Sequence, residues 1–395
     1  FRRVLFRSDL QLSLAPPLTA LKGWGAPEIG NAFDRAQELC ETIDDPAKLI
    51  PALWLLATFR LGRSEHAEVD RLSVRFVELA KKLNDQALLA LAYLQVSPLH
   101  EGRLREARGL LERAAAVQDI GLQRSLAQRF GMSPAAVALG YLGNCLWMMG
   151  YPEQGVQINQ QALTIAEDVE HPMTTCYVTS RSCWLGLLMD DTGHIAANVN
   201  KLYQVAQKYG FKNFELASKF LENWVKFMQG EDRIQAIEAM QRAYEAYYST
   251  KTTLNRTAFQ VIFANVCLKA GQRARGLKAI KESIDLGVNT GERWFQAEAW
   301  RTKGELLLMK EEGYALEQED RLEVETCFQT AYEIAKQQDA KAFELRAAMS
   351  LARLWYGEDR TSEARDILRG TLDWFTEGFD TPDLQAAQLL LDENP

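Results

Sequence analysis

The chain has 395 residues, 47% of them hydrophobic, and a formal net charge of −8. That is ample apolar material for a large core, and Lys and Arg are interspersed with Asp and Glu rather than gathered into the basic stripe of a nucleic-acid binder. No stretch approaches the roughly 18 continuous apolar residues of a membrane span, so neither nucleic acid nor membrane is an expected partner, and the expected compartment is the cytoplasm.

The N-terminus lacks an initiator Met and the apolar segment of a signal peptide. Leu5-Phe6-Arg7-Ser8 is what the codons of a common sequencing adaptor translate to, so residues 1–8 read as a non-native leader and 9–395 as a single domain. From there the dominant signal is internal repetition. Glycines recur where helical patterns stop: Gly62, Gly102, Gly150, Gly193, Gly230, Gly271 and Gly357, with gaps of 40, 48, 43, 37, 41 and 86. A period near 40 marks a stacked helical array.

Each unit reads as two amphipathic helices. Tyr141, Leu142, Cys145, Leu146 and Met149 recur at helical spacing; after Gly150-Tyr151-Pro152, so do Val156, Ile158, Ala162, Leu163 and Ile165. Pro152 suits the first turn of a helix, where its missing N–H costs nothing. Small residues such as Gly143, Gly155 and Gly186 would let the two helices approach closely. The expectation is an all-α, right-handed solenoid of about nine helix-turn-helix pairs between residues 11 and 378, closed by a capping helix over Thr381 to Asp392. Two departures interrupt it: residues 118–133 lengthen one unit, and residues 310–321 form a charged loop.

Catalytic signatures do not emerge. The sequence has no phosphate-binding G-x-x-x-x-G-K-[ST], no G-x-G-x-x-G, no G-x-S-x-G and no H-E-x-x-H. His66, His100, His171 and His194 are scattered and read as helix-terminal or surface residues. Acidic pairs such as Asp190-Asp191 read as solvated turns. Cys40, Cys145, Cys176, Cys183, Cys267 and Cys327 contain no C-x-x-C pair and read as free thiols in a reducing compartment. No catalytic residue, metal or cofactor is expected.

Binding candidates come from the nine tryptophans, which serve either as packing between hairpins or as anchors in a concave groove lined by first helices. Asn144, Trp147, Met148 and Trp184 are the groove candidates. In the insertion, Arg124, Arg129 and Phe130 could grip an acidic partner, or Arg129 could tie the segment to a carboxylate of its own array.

The spacing of Leu142, Gly143, Leu146, Gly150, Gly155, Ala162 and Leu163 resembles the tetratricopeptide repeat, with a longer period like that of the helical repeats at the C-termini of STAND-type signalling ATPases, of which the maltose-regulon activator is the familiar example. Four segments resemble the C-terminal repeat region of bacterial AAA-type ATPases, many fused to a class III adenylate/guanylate cyclase domain: Lys22 to Glu28, Gly291 to Leu307, Glu344 to Trp355, and Trp374 to Thr381. The resemblance implies a sensor arm binding a protein, a peptide, the upstream ATPase domain or a small ligand, with the chemistry lying upstream of this chain. A stand-alone scaffold is the rival expectation. A small-molecule sensor, the other rival, would show an aromatic pocket near Trp147 or Trp184.

Overall fold

The structure is a computed structural model that describes residue 38, residues 46–309 and residues 318–394. The leader at 1–8, the segment Lys22 to Glu28, Cys40 and residues 310–317 lie outside them. The described residues form an all-α solenoid without strands. Eight helix pairs follow in chain order. The first two are α1 (Pro46–Gly62) with α2 (His66–Leu83), and α3 (Gln86–Tyr93) plus the short α4 (Ser97–His100) with α5 (Leu104–Ala114). After α6 (Ile120–Phe130) come α7 (Pro134–Met148) with α8 (Pro152–Val169), α9 (Pro172–Leu188) with α10 (Thr192–Tyr209), and α11 (Lys212–Gln229) with α12 (Arg233–Ser249). The array ends with α13 (Arg256–Lys269) and α14 (Arg273–Thr290), α15 (Gln296–Leu308) and α16 (Gln318–Gln337), α17 (Lys341–Tyr356) and α18 (Thr361–Leu372), and the cap α19 (Pro382–Asp392). The part of the expected array before Pro46 lies outside the described residues.

The two helices of a pair do different work. Every residue of α7 is buried, so it has no polar face; α9 and α17 are nearly as enclosed. These first helices pack on one another across pairs, α7 on α9 and α15 on α17, while their partners cover them on the outside. Second helices such as α5 and α18 bury one stripe and expose the rest. Close approach within a pair depends on missing β-carbons: one placed on Gly143 would stand 2.8 Å from the carbonyl oxygen of Gly155.

The glycine landmarks meet the turns in two ways. Gly102, Gly150, Gly230 and Gly271 carry the positive φ that ends the helix. At the other three turns an adjacent polar residue does so instead: Ser64 near Gly62, Asp190 near Gly193 and Asp359 near Gly357. Asp and Asn tolerate this region because their short side chains bond locally.

The insertion at 118–133 is not an irregular segment. Asp119 caps it by accepting from the amide of Leu122 at 2.7 Å, and α6 follows. Four of the residues expected in the charged loop, 318–321, are the first turn of α16.

The array also touches itself over long distances. The carbonyl of Gly62 accepts from the amides of Thr253 (2.8 Å) and Leu254 (3.2 Å), and that of His100 from Arg293 (2.7 Å) and Trp294 (3.1 Å). Glu153 accepts from the Gly378 amide at 2.8 Å, and α7 packs on α17. Successive superhelical turns are therefore in contact, and the inner face is enclosed.

Candidate functional site

Enclosure changes the setting of the groove candidates. Asn144 and Met148 have no exposure; Trp147 and Trp184 retain 4% and 2%. The side-chain amide of Asn144 donates to the Arg181 carbonyl at 3.0 Å. Trp147 meets Phe343 edge-on at 6.4 Å and stacks under the Arg346 guanidinium at 5.0 Å. Trp184 lies 5.3 Å from Trp294 and 5.2 Å from Phe259. First helices do face inward, but what they face is the next turn of the same chain. Sequence periodicity places a residue on a helix face; it does not show that the superhelix is tight enough to fill its own axis.

In the insertion, Arg124 and Arg129 are exposed on α6 and Phe130 is buried. Arg124 donates to the carbonyl of Asp168 at 2.5 Å, at the end of α8. Arg129 lies over the Phe130 ring at 4.9 Å rather than on a carboxylate. The Phe130 carbonyl accepts from the Trp54 indole at 3.0 Å, tying α6 to α1.

Among the cavities of the described residues, two are bordered by charged and aromatic side chains of several helix pairs. The larger, about 360 Å³, is bordered by Trp224, Phe295, Glu298, Arg301, Arg346 and Asp383. The charges of Glu298, Arg301, Arg346 and Asp383 are paired. Glu298 holds Arg301 (2.8 Å) and approaches Arg346 (3.6 Å), and Arg346 also holds Asp383 of the cap (2.8 Å). Arg346 further donates to the Leu188 carbonyl at 2.6 Å. Burial pushes the Glu298 carboxyl up, but the Arg301 and Arg346 guanidiniums outweigh it and hold it below the usual range. One arginine on α17 thus fastens α7, α9, α15 and α19 together.

The smaller cavity, about 70 Å³, is bordered by Tyr141, Arg181, Trp184, Asn213, Tyr247 and Asn255, and on one side by the end of α1. Sequence reasoning passed over Arg181, because an arginine within an apolar helix has no motif to mark it.

A third polar cluster lies between turns. His66 and His100, both buried, stack at 6.2 Å, and His100 meets Trp294 edge-on at 5.1 Å. They are helix-terminal as expected but not on the surface. Burial lowers the His66 imidazole to about 4 and pushes the neighbouring Glu292 carboxyl up to about 8. The five described cysteines are buried free thiols; burial pushes Cys145, Cys176 and Cys183 up to about 12. Among the described residues no group of His, Cys, Asp and Glu could hold a metal ion, and no helix is long and apolar enough to cross a membrane.

No protein-family model matches the sequence, and no curated protein matches it. Solved structures of similar fold include two helical-repeat proteins. Yeast Tom70 shares 10% identity over 99% of this chain and 96% of that one, with a TM-score of 0.45. A STAND (signal transduction ATPase with numerous domains) protein with a tetratricopeptide repeat sensor, from Pyrococcus horikoshii, shares 10% identity over 94% of this chain and 55% of that one, with a TM-score of 0.44.

Proposed function

We propose that this chain is a non-catalytic recognition module: a cytoplasmic sensor arm that biases an ATPase carried upstream in the same polypeptide, with or without a cyclase domain. The observation that supports it most is the contact between successive turns, fastened by Arg346. Such contacts give the array two states, closed and opened. A ligand or partner with different affinity for the two would shift their balance, and the attached domain would respond. In this reading Asn144, Trp147, Met148 and Trp184 meet a partner only when the turns part, and Arg124 and Arg129 offer it an exposed cationic edge on α6.

The test is to read the gene upstream of Asp9 and measure ATP hydrolysis by its full-length product. Arg346→Met, which removes the fastener and leaves Glu298 and Asp383 without it, is expected to change the hydrolysis rate at least threefold. An ATPase whose rate is indifferent to Arg346→Met defeats the switch reading. A start codon just upstream of Asp9 would instead favour a free-standing scaffold that binds a peptide or partner helix.

A further inference from the structure

We infer that the smaller cavity is a binding site for a compact oxyanion that also carries a hydroxyl group, with Arg181 as its counter-charge. The inference deepens the sensor reading by assigning a ligand class to it.

Arg181 is 4% exposed, near the middle of α9. Its stem lies across Gly140 of α7, where a β-carbon would come within 3.2 Å of the Arg181 Cβ, so the approach of the two helices is shaped around this side chain. The guanidinium rests over the rings of Tyr141 (4.6 Å) and Trp184 (5.3 Å). Nη1 is buried with no hydrogen-bond partner, and no described carboxylate lies within ion-pair distance of the group. Arg301 and Arg346 are only partly buried, and each holds at least one carboxylate.

The contrast matters because arginine cannot shed its charge. A buried Lys, His or Glu responds to burial by changing protonation, as His66 and Glu292 do here; a guanidinium stays charged. Ring faces offset part of the desolvation but supply neither counter-charge nor acceptors. What satisfies a planar fork of donors is a planar or tetrahedral oxyanion gripped by two parallel hydrogen bonds.

The other walls define the rest of the ligand. The side-chain oxygens of Asn213 and Asn255 are buried without partners, and both residues border the cavity. Two orphan acceptors and an orphan donor on residues bordering one cavity call for a ligand that brings both an oxyanion and a hydroxyl. A cavity of about 70 Å³ is of the size to take a compact group such as a hydrogen phosphate or a short hydroxycarboxylate. One wall is the end of α1, whose Gly62 carbonyl is bonded to Thr253 and Leu254 beside Asn255. A bound ligand therefore bridges two turns of the superhelix and would stabilise their closure.

The experiment uses the full chain, titrated with sodium phosphate, L-lactate and D-glycerate against sodium chloride at equal ionic strength. The readouts are the thermal midpoint and the fluorescence of the tryptophans, of which Trp184 borders the site. At least one oxyanion is expected to raise the midpoint saturably: phosphate alone identifies an inorganic or esterified phosphate ligand, the hydroxy acids alone a carboxylate. Arg181→Gln, checked for folding by its helical circular dichroism, is expected to weaken binding at least tenfold. Arg181→Lys, which keeps the charge in place but loses the fork, is expected to weaken it at least threefold and serves if the first variant does not fold. No effect beyond that of chloride, or equal affinity in the variants that fold, overturns the site and leaves Arg181 held by ring faces alone. Such a failure would not touch the turn-to-turn closure or its ATPase test, so the two readings fail separately.

Discussion

Glu292 is buried at the junction of two turns, its Oε1 accepting from the Trp294 indole at 3.1 Å and lying 3.9 Å from His100 Nδ1. Because burial raises this carboxyl to about 8, the folded chain keeps a proton that the unfolded chain releases near 4.5. The stability tied to that proton is complete below about 4.5 and is lost as pH rises through about 8. His66 acts in the opposite sense. With its imidazole lowered to about 4 from 6.5, the unfolded chain takes up the proton first, and stability falls as pH drops through that window. Between about 6.5 and 8 the histidine contribution is flat and Glu292 dominates. The thermal midpoint is therefore expected to decline from pH 6.5 to 8 in the native sequence and to stay level in Glu292→Gln, the window ending below the range in which unfolded-state thiols ionise. A native midpoint that does not move over this range contradicts the assignment. None of this was legible in the sequence: His66, His100 and Glu292 are up to 226 positions apart, and only the superhelix brings them together.

Helix pairs are the level at which the sequence was most readable. The repeat of apolar residues, glycines and prolines gave the end of α7 before Gly150 and the start of α8 at Pro152, because a helix closed at a glycine and followed by a proline leaves a local pattern. The fit within a pair is exact enough to test. A side chain at position 143 must displace the Gly155 backbone or Asn159. Gly143→Leu is expected to cost about 1–3 kcal/mol through overpacking, read as a lower midpoint in chemical denaturation; an unchanged midpoint would mean that α7 and α8 are not so closely seated. Where the local pattern misled, the cause was local too. The insertion reads only as a departure from the repeat, yet the Asp119 cap and the burial of Leu126 and Phe130 suffice to make a helix. Asn144 passes for a groove residue because it is polar on an inward face. Its burial and its bond to the Arg181 carbonyl depend on α9, which no single-helix pattern reports.

Across the whole molecule, contact between turns sets this array apart from an ordinary solenoid, in which stability is a sum of repeat and nearest-neighbour terms and the ends fray independently. Here the cap α19 supplies Asp383 to Arg346, which is joined in turn to α9 and α15. Removing residues 381–395 is expected to do more than uncover the surfaces of α17 and α18 on which the cap packs. It should lower the single unfolding midpoint of the whole array and raise amide exchange in α9 and α15. If exchange rises only in α17 and α18, the turns are not coupled and the array behaves as a simple stack.

The bonds from Gly62 to Thr253 and Leu254, and from His100 to Arg293 and Trp294, also impose an order on birth of the chain. The first turn leaves the ribosome about 190 residues before its partners exist. At bacterial or eukaryotic elongation rates of about 5–20 residues per second, that delay is about 10–40 s. Throughout it, the inner aromatic face of the nascent array stands open to solvent, and to any chaperone that recognises one.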